Sequence, residues 1–526
     1  MQLSRRFSPI TLLLISINGM LGSAWLFAPL YAAKIAGVGS IISWLIGGFA
    51  TVIIALTFAE LSTLVPVAGG TAQIPEISHG TFTSFIFSWI AWLSALTMAP
   101  IEVQAVLQYA STYFGSLVYQ SNGVPVLTLI GLFWATILML FLSIVNIISF
   151  KGLVRFNFAL FSFKTIVIIL AITTLIGTSY HPENLSISNG LFTTDGWRNI
   201  LAAVASAGVA FAFTGFKHGV ELAGEAKDSK TAVPLAIIGS VVGCLILYMG
   251  LQIAFILALD PKTLAQGWSN LTFVGDVGPF AGLAASLGVL WLLYILYVDA
   301  AVSPLGAGLI YVTSTSRILY AMSKLNIFPQ ALTKLNKQNF PVIAIMVNFF
   351  IGMFLFLPLP GWQSMVEFLV SGMVLSYAMG PIALLCLRDE LKTKPRTFRL
   401  PCANIVCVLA FYFCNLISYW TGWHTIWKLE VAILIGMVFF AVAYFRGKMD
   451  MLNLELKSAL WVVPYLLGLG IISYFGSFGG TNAISFGQDF FVIFIFSIVI
   501  LYMAYVCRSS VNVVQKFEGA LAGVDG

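Results

Sequence analysis

Two glycine-centred interruptions and three charges set deep in apolar sequence are the residues of this chain whose types and spacing can do chemistry. The run at 8–33, SPITLLLISINGMLGSAWLFAPLYAA, is long enough to cross a bilayer, yet Gly19 and Gly22 fall in its middle. Backbone left unpaired in hydrocarbon is tolerated only where it lines a polar cavity. A second interruption is expected at 210–219, AFAFTGFKHG. A broken helix presents two half-helix ends to one small volume. The amides of Gly22, Ser23 and Ala24 would open the second half and offer donors at the positive end of the helix dipole, which suits a carboxylate. The carbonyls around Ile17, Asn18 and Gly19 would close the first half and suit an ammonium, as would those of Phe211, Ala212 and Phe213 in the second break. Opposite partial charges set close together match the zwitterionic head of an amino acid. One break alone reads as a packing kink; paired breaks read as a binding site. Thr214, Gly215 and Phe216 follow directly and are expected to shape the pocket or its gate.

Glu102, Lys164 and Asp299 lie well inside apolar runs, where a charge is costly and by default marks a functional position with a partner. Each is a candidate for proton exchange, against the alternatives of a structural ion pair or a charge reaching a water-filled crevice. Ionised, Glu102 would repel an acidic side chain; protonated, it would donate a hydrogen bond to one; a static pairing with Lys164 is the third option. Glu60 and Glu367 lie near the ends of runs, where solvated or gating roles fit better than binding. Enzyme chemistry has little support. GVGS at 37–40 lacks the strand–loop–helix context of a dinucleotide site. His79, His181, His218 and His424 are scattered without paired-ligand spacing. No cofactor and no metal is therefore expected. The six cysteines, Cys244, Cys386, Cys402, Cys407, Cys414 and Cys507, fall in or beside apolar segments and read as small buried hydrophobes.

The elements that must position these residues are membrane helices. Of 526 residues, 60% are hydrophobic and 9% charged, which excludes a soluble globular chain. The net charge of +6 points to membrane topology and not to nucleic acid. Apolar runs mark fourteen expected spans: 10–33, 40–64, 83–113, 125–149, 156–178, 199–220, 234–258, 281–312, 341–358, 364–387, 402–422, 428–446, 458–478 and 488–508. Twelve remain possible, because the last four are the least distinct. With both termini in the cytoplasm, 21 of the 26 Lys and Arg residues fall on the cytoplasmic side and four on the outer side. The first run is too long for a cleavable signal peptide. The tripeptide Asn184-Leu185-Ser186 lies in an outer loop and is a glycosylation pattern common by chance. Span 1 runs outward and span 6 inward, as an inverted repeat requires. The expected organisation is a first repeat at 1–180, a second at 181–390, and four appended helices at 391–526. No oligomeric state follows from the sequence.

Several motifs resemble those of the amino acid–polyamine–organocation transporter superfamily. Gly22-Ser23-Ala24-Trp25-Leu26-Phe27 is similar to its span 1 motif. Ala59-Glu60-Leu61 through Pro66-Val67-Ala68-Gly69-Gly70 is similar to the end of its span 2. Phe211-Ala212-Phe213-Thr214-Gly215-Phe216 with Glu221 and Glu225 resembles its span 6. Ser316-Arg317-Ile318-Leu319-Tyr320-Ala321-Met322, then Phe328-Pro329 and Pro341, resembles the loop after span 8. Two departures stand out: Ala24 replaces a glycine, and Lys217-His218 stand where an acidic residue is frequent. The resemblance implies an all-α polytopic membrane protein with the leucine-transporter-type five-plus-five inverted repeat. It also implies that Lys164, in Phe161-Ser162-Phe163-Lys164, takes the place of a sodium site in a proton-coupled member. Within the superfamily the chain looks most like the bacterial aspartate/glutamate–proton symporter group. The expected partners are then an amino acid, protons and the lipid bilayer of a bacterial inner membrane. An amino acid/product exchanger for neutral or cationic amino acids or polyamines is the alternative within transport, and a non-transporting sensor the alternative outside it.

Overall fold

The computed structural model describes residues 7–65, 70–121, 124–148, 153–186, 193–223, 226–227, 229–273, 278–324, 328–336, 340–392, 394, 398–446 and 455–509. The first expected span is two helices, α1 (Pro9–Met20) and α2 (Ala24–Ala36). The Ser8 hydroxyl accepts from the Thr11 amide at 3.2 Å and Pro9 opens α1, two features that fix a helix start. Gly37, at φ 57°, ends α2 and begins one 3-10 turn before α3 (Ser40–Leu64). The third span is α4 (Gly70–Leu96), kinked at Gly80 (φ 79°), and α5 (Met98–Ala110), broken from it at Thr97. An antiparallel hairpin follows, β1 (Val118–Ser121) with β2 (Val124–Leu127), then α6 (Leu129–Ile148) and α7 (Leu153–Thr178). The sixth span is α8 (Thr194–Ser206), α9 (Val209–Ala212) and α10 (Lys217–Glu221). Beyond it come α11 (Ser229–Ala258), the short α12 (Pro261–Leu264) and α13 (Pro279–Ser286), and the long α14 (Leu290–Lys324). The remainder is α15 (Val342–Leu355), α16 (Gly361–Tyr377), α17 (Met379–Glu390), α18 (Ala403–Trp420), α19 (Trp423–Phe445), α20 (Val462–Phe475) and α21 (Gln488–Val506).

The chain is an almost wholly helical polytopic membrane protein. Among the described residues eleven helical segments are long and apolar enough to cross a bilayer, or twelve when α8 and α9–α10 count as one span bent by 40°. Length alone does not reproduce fourteen. α1 (12 residues) and α15 (14 residues) are shorter than a bilayer needs, and α2 and α3 run together as one 41-residue segment. Two boundaries also move. Residues 125–127, expected to open span 4, belong to strand β2, because a short apolar run beside a turn serves a hairpin as well as a helix. The third span begins at Gly70, well before residue 83.

Inner and peripheral helices separate by burial. In the most apolar 18-residue stretch of Gln73–Ala110 and of Gly361–Glu390, 94% of the residues are buried within the protein. In those of Leu129–Ile148, Phe158–Thr178, Trp423–Phe445 and Gln488–Val506 the share is 33%, and these helices turn large apolar side chains outward to lipid. Polar pins hold the bundle together. The buried Glu60 carboxylate of α3 accepts from Arg388 of α17 twice, at 2.7 Å each, and from the Leu400 amide at 2.7 Å. Near the chain start, the Lys227 amide donates to Phe7 O at 2.9 Å, which ties the lead-in of α1 to the segment after α10. Asn184 is fully buried, its amide donating to Ile256 O at 2.9 Å and Leu259 O at 2.8 Å at the end of α11. Two cysteines correct the expectation of uniform burial: Cys402 is exposed and Cys507 half-buried, because both lie at helix ends.

Candidate functional site

The two interruptions meet in the interior. A Cβ at Gly215 would lie 2.7 Å from the Met20 amide nitrogen and 2.8 Å from Ser16 O; at Gly19 it would lie 2.6 Å from the His218 ring. Only glycine at both positions lets α1 approach the sixth span this closely. The bend of that span sits upstream of the expected 210–219, at Gly208, whose φ of 93° excludes ordinary side chains. Residues 214–216 form one 3-10 turn between α9 and α10. Ser23, Ala24, Phe211, Ala212, Phe213, Thr214 and Phe216 are all buried, and Ile17 is half-buried.

The carbonyl end of α1 receives donors from three other spans. Lys164 Nζ of α7 donates to Leu21 O at 2.8 Å and Asn18 O at 3.5 Å. The Tyr248 hydroxyl of α11 donates to Met20 O at 2.7 Å, and the Tyr311 hydroxyl of α14 donates to Gly19 O. Ile17 O accepts from the Leu21 amide at 3.0 Å. Carbonyls freed by the break are thus paired within the protein, as a low-dielectric interior demands.

The amide end of α2 carries a carboxylate. Glu102 Oε2 of α5 accepts from the Ser23 amide at 2.8 Å. Its Oε1 is buried with no hydrogen-bond partner among the described residues. Gly22 leaves the room: a Cβ there would collide with Oε1 and lie 3.0 Å from Cδ. The Trp362 indole of α16 donates to Ser23 Oγ at 2.9 Å. Asp299 Oδ1 of α14 accepts from Ser303 Oγ at 2.7 Å. All three charged groups are fully buried, yet among the described residues no ion pair within 4.0 Å joins Lys164 to either acid. The static Glu102–Lys164 contact is therefore absent from this arrangement.

Aromatic rings close the space on both sides. Trp362 stacks on Phe27 (5.3 Å) and Tyr31 (5.6 Å) and meets Phe211 edge-on (6.1 Å). Phe213 packs on Trp44 (5.9 Å) and Tyr248 (5.8 Å), and Phe216 on Tyr377 (5.0 Å) and Phe58 (6.0 Å), so neither faces lipid. Lys217 and His218 converge on Glu221, at 4.0 and 3.7 Å, and Ser314 Oγ of α14 donates to the same carboxylate at 2.6 Å. Glu60 is a paired structural group, and Glu367 of α16 accepts from Gln363 at 3.4 Å. Pro66-Val67-Ala68-Gly69 and Glu225 lie outside the described residues. Tyr248, Tyr311 and Trp362 were not singled out from sequence. Their signal is a hydroxyl or indole N–H inside an apolar run, which must find a buried acceptor.

A polytopic helical membrane protein organised around two interrupted helices has the architecture of a secondary transporter. The chain belongs to the amino acid permease family, whose pattern fits residues 7–440. It is 36% identical over 505 residues to the glutamate/serine transporter AimA of Bacillus subtilis, covering 95% of this chain and 93% of that protein. It is 34% identical over 504 residues to the aspartate-proton symporter of the same organism, covering 95% and 96%. More distantly, it is 26% identical over 466 residues to the branched-chain amino acid permease BcaP, also of Bacillus subtilis, covering 83% and 92%.

Proposed function

We propose that this chain is a secondary active transporter that moves amino acids, acidic ones preferred, together with protons by alternating access. It works in a bacterial plasma membrane with both termini in the cytoplasm. Residues 1–180 and 181–390 form the inverted pair and 391–526 are appended. The substrate carboxylate binds the amides of Gly22, Ser23 and Ala24. Its ammonium is met by carbonyls around Ile17, Asn18 and Gly19 and by those of Phe211, Ala212 and Phe213, with Thr214, Gly215 and Phe216 forming the wall. Lys164, Glu102 and Asp299 are the proton-coupling set.

The observation that carries this reading is Lys164 Nζ on the Leu21 carbonyl at 2.8 Å. A cation that can lose its proton is tied directly to the break, so protonation changes how strongly α1 is held. Different proton affinity in two conformations is what links a proton to a conformational cycle. Relatives described as a glutamate/serine transporter and an aspartate-proton symporter support the substrate class and the coupling ion. The test is uptake of labelled L-glutamate, L-aspartate and L-serine by the full chain in proteoliposomes with an alkaline lumen. Accumulation that collapses with a protonophore supports symport. Counterflow without gradient-driven accumulation overturns the coupling in favour of exchange, and failure to move any amino acid overturns transport.

A further inference from the structure

With the α1–α2 break taken as the substrate site, as proposed above, we infer that Glu102 is the resident occupant of its carboxylate position. The Glu102 carboxylate and the substrate carboxylate take turns on the amide end of α2. The proton that Glu102 binds when displaced is the one that enters with the substrate.

The geometry is that of a ligand and not of an anchor. α2 is a helix of 13 residues whose first amides need an acceptor, and the Ser23 amide finds one in Glu102 Oε2 at 2.8 Å. The second oxygen has no hydrogen-bond partner among the described residues. Acids that serve as anchors in this protein are saturated by comparison. Glu60 receives Arg388 twice and the Leu400 amide. Asp489 receives Tyr419, Ser477 and the amides of Gly487 and Phe490. A buried carboxylate held through one residue, Ser23, with no ion pair within 4.0 Å among the described residues, is weakly held. Gly22 places no side chain between that carboxylate and the chain break, so the same space admits a ligand carboxylate once Glu102 swings away.

The surroundings determine which proton state follows displacement. Lys164 faces Glu102 from α7, Tyr248 from α11 and Tyr311 from α14, with Asp299 on the same α14. α4 carries Glu76 and His79, the latter turned to Ala504 O at 3.0 Å. α16 carries Glu367, bonded by Gln363, and Tyr377, which donates to Thr214 O at 3.2 Å. α6 and α15 carry no titratable side chain. Lys164 and both tyrosine hydroxyls already donate to α1 carbonyls. A displaced Glu102 would thus be an ionised acid that has lost the Ser23 amide inside the protein, and binding a proton removes that charge. The step balances: Glu102 carboxylate, one proton and the substrate carboxylate give Glu102 carboxylic acid and the substrate carboxylate on the α2 amides. The amide end holds one negative charge before and after, and one proton is bound per substrate.

The test is calorimetric titration of the full chain in lipid nanodiscs with L-glutamate, between pH 6 and 8 and in two buffers of different ionisation enthalpy. Wild type is expected to bind about one proton per L-glutamate, with Kd rising up to about tenfold per pH unit. Glu102→Gln keeps the shape but holds the amides by a neutral hydrogen bond, about half as strong. It should bind L-glutamate about tenfold more tightly at pH 8, with no proton uptake and a flat pH profile. Glu102→Ala, checked for an unchanged unfolding temperature, should show the same flat profile. Proton uptake that persists in both variants, or is absent from wild type, overturns the inference while leaving the site reading intact. Normal L-glutamate binding by Gly22→Leu, or none by wild type, overturns both.

Discussion

Gly215→Ala is the sharpest probe of the meeting of the two broken helices. The added Cβ would stand 2.7 Å from the Met20 nitrogen and 2.8 Å from Ser16 O, both backbone atoms of α1. Ordinary contact begins near 3.4 Å, so α1 and the 214–216 turn must part by about 0.6 Å, with no rotamer able to absorb the clash. Forcing extra volume into such a contact costs about 1–3 kcal/mol. The displacement falls on the carbonyls that Lys164, Tyr248 and Tyr311 hold, and thus on the head-group position itself. If half of that cost appears only in the liganded state, affinity falls by about two- to tenfold. Titration of purified protein with L-glutamate, alongside thermal unfolding, separates the effects. Gly243→Ala in α11 is the control: its Cβ meets nothing within 4 Å, and a helical glycine replaced by alanine should gain about 0.5–1 kcal/mol. An unchanged Kd for Gly215→Ala, with an unfolding temperature equal to wild type, would refute the claim that the breaks share one tightly packed volume.

Four further outcomes follow from the same geometry. Lys164→Ala should abolish accumulation driven by a pH gradient, where one unit across the membrane drives a one-proton symporter to about tenfold accumulation; retained accumulation would leave Lys164 a structural cation. Phe213→Ala and Phe216→Ala should each lose about 3–5 kcal/mol of packing, and at least one should change selectivity or transport in an uptake panel. Trp362→Phe removes the donor to Ser23 Oγ and leaves part of a fully buried ring's space empty, so Kd should weaken about fivefold and the unfolding temperature should fall. Arg388→Gln takes the cationic partner from the buried Glu60 carboxylate and should cost about 3 kcal/mol, of which Glu60→Gln on the same background restores a part, both read by thermal unfolding.

Hydropathy and charge placed the helices because a bilayer imposes both, and the glycines in span 1 marked its break because α1 and α2 separate within the same few residues. Span 6 was harder. Gly208 and Gly215 look alike in sequence, yet one supplies a left-handed bend and the other a close approach, and only the packing of Trp362 and Met20 distinguishes them. Residues 125–127 read as the start of a helix because three apolar residues have no period of their own. The partners of the break carbonyls were beyond reach for a different reason. Tyr248 and Tyr311 arrive from spans 7 and 8, and nothing local to either says which acceptor its hydroxyl will find. Glu102 was legible as a buried acid, but its seat on the Ser23 amide depends on a contact spanning 79 residues.

The burial of Asn184 has a practical consequence for producing the protein. In a eukaryotic host, oligosaccharide is attached to the nascent chain at Asn-X-Ser before loops fold. A sugar on the Asn184 nitrogen would leave one N–H for the two acceptors Ile256 O and Leu259 O and has no room at this fully buried position, so glycosylated chains could not close the end of α11. Yield would then fall through a modification foreign to the folded molecule. The remedy is Ser186→Ala and not a change at Asn184: among the described residues the Ser186 hydroxyl makes one exposed bond, to Glu183 O, so the signal can be erased while the cap stays.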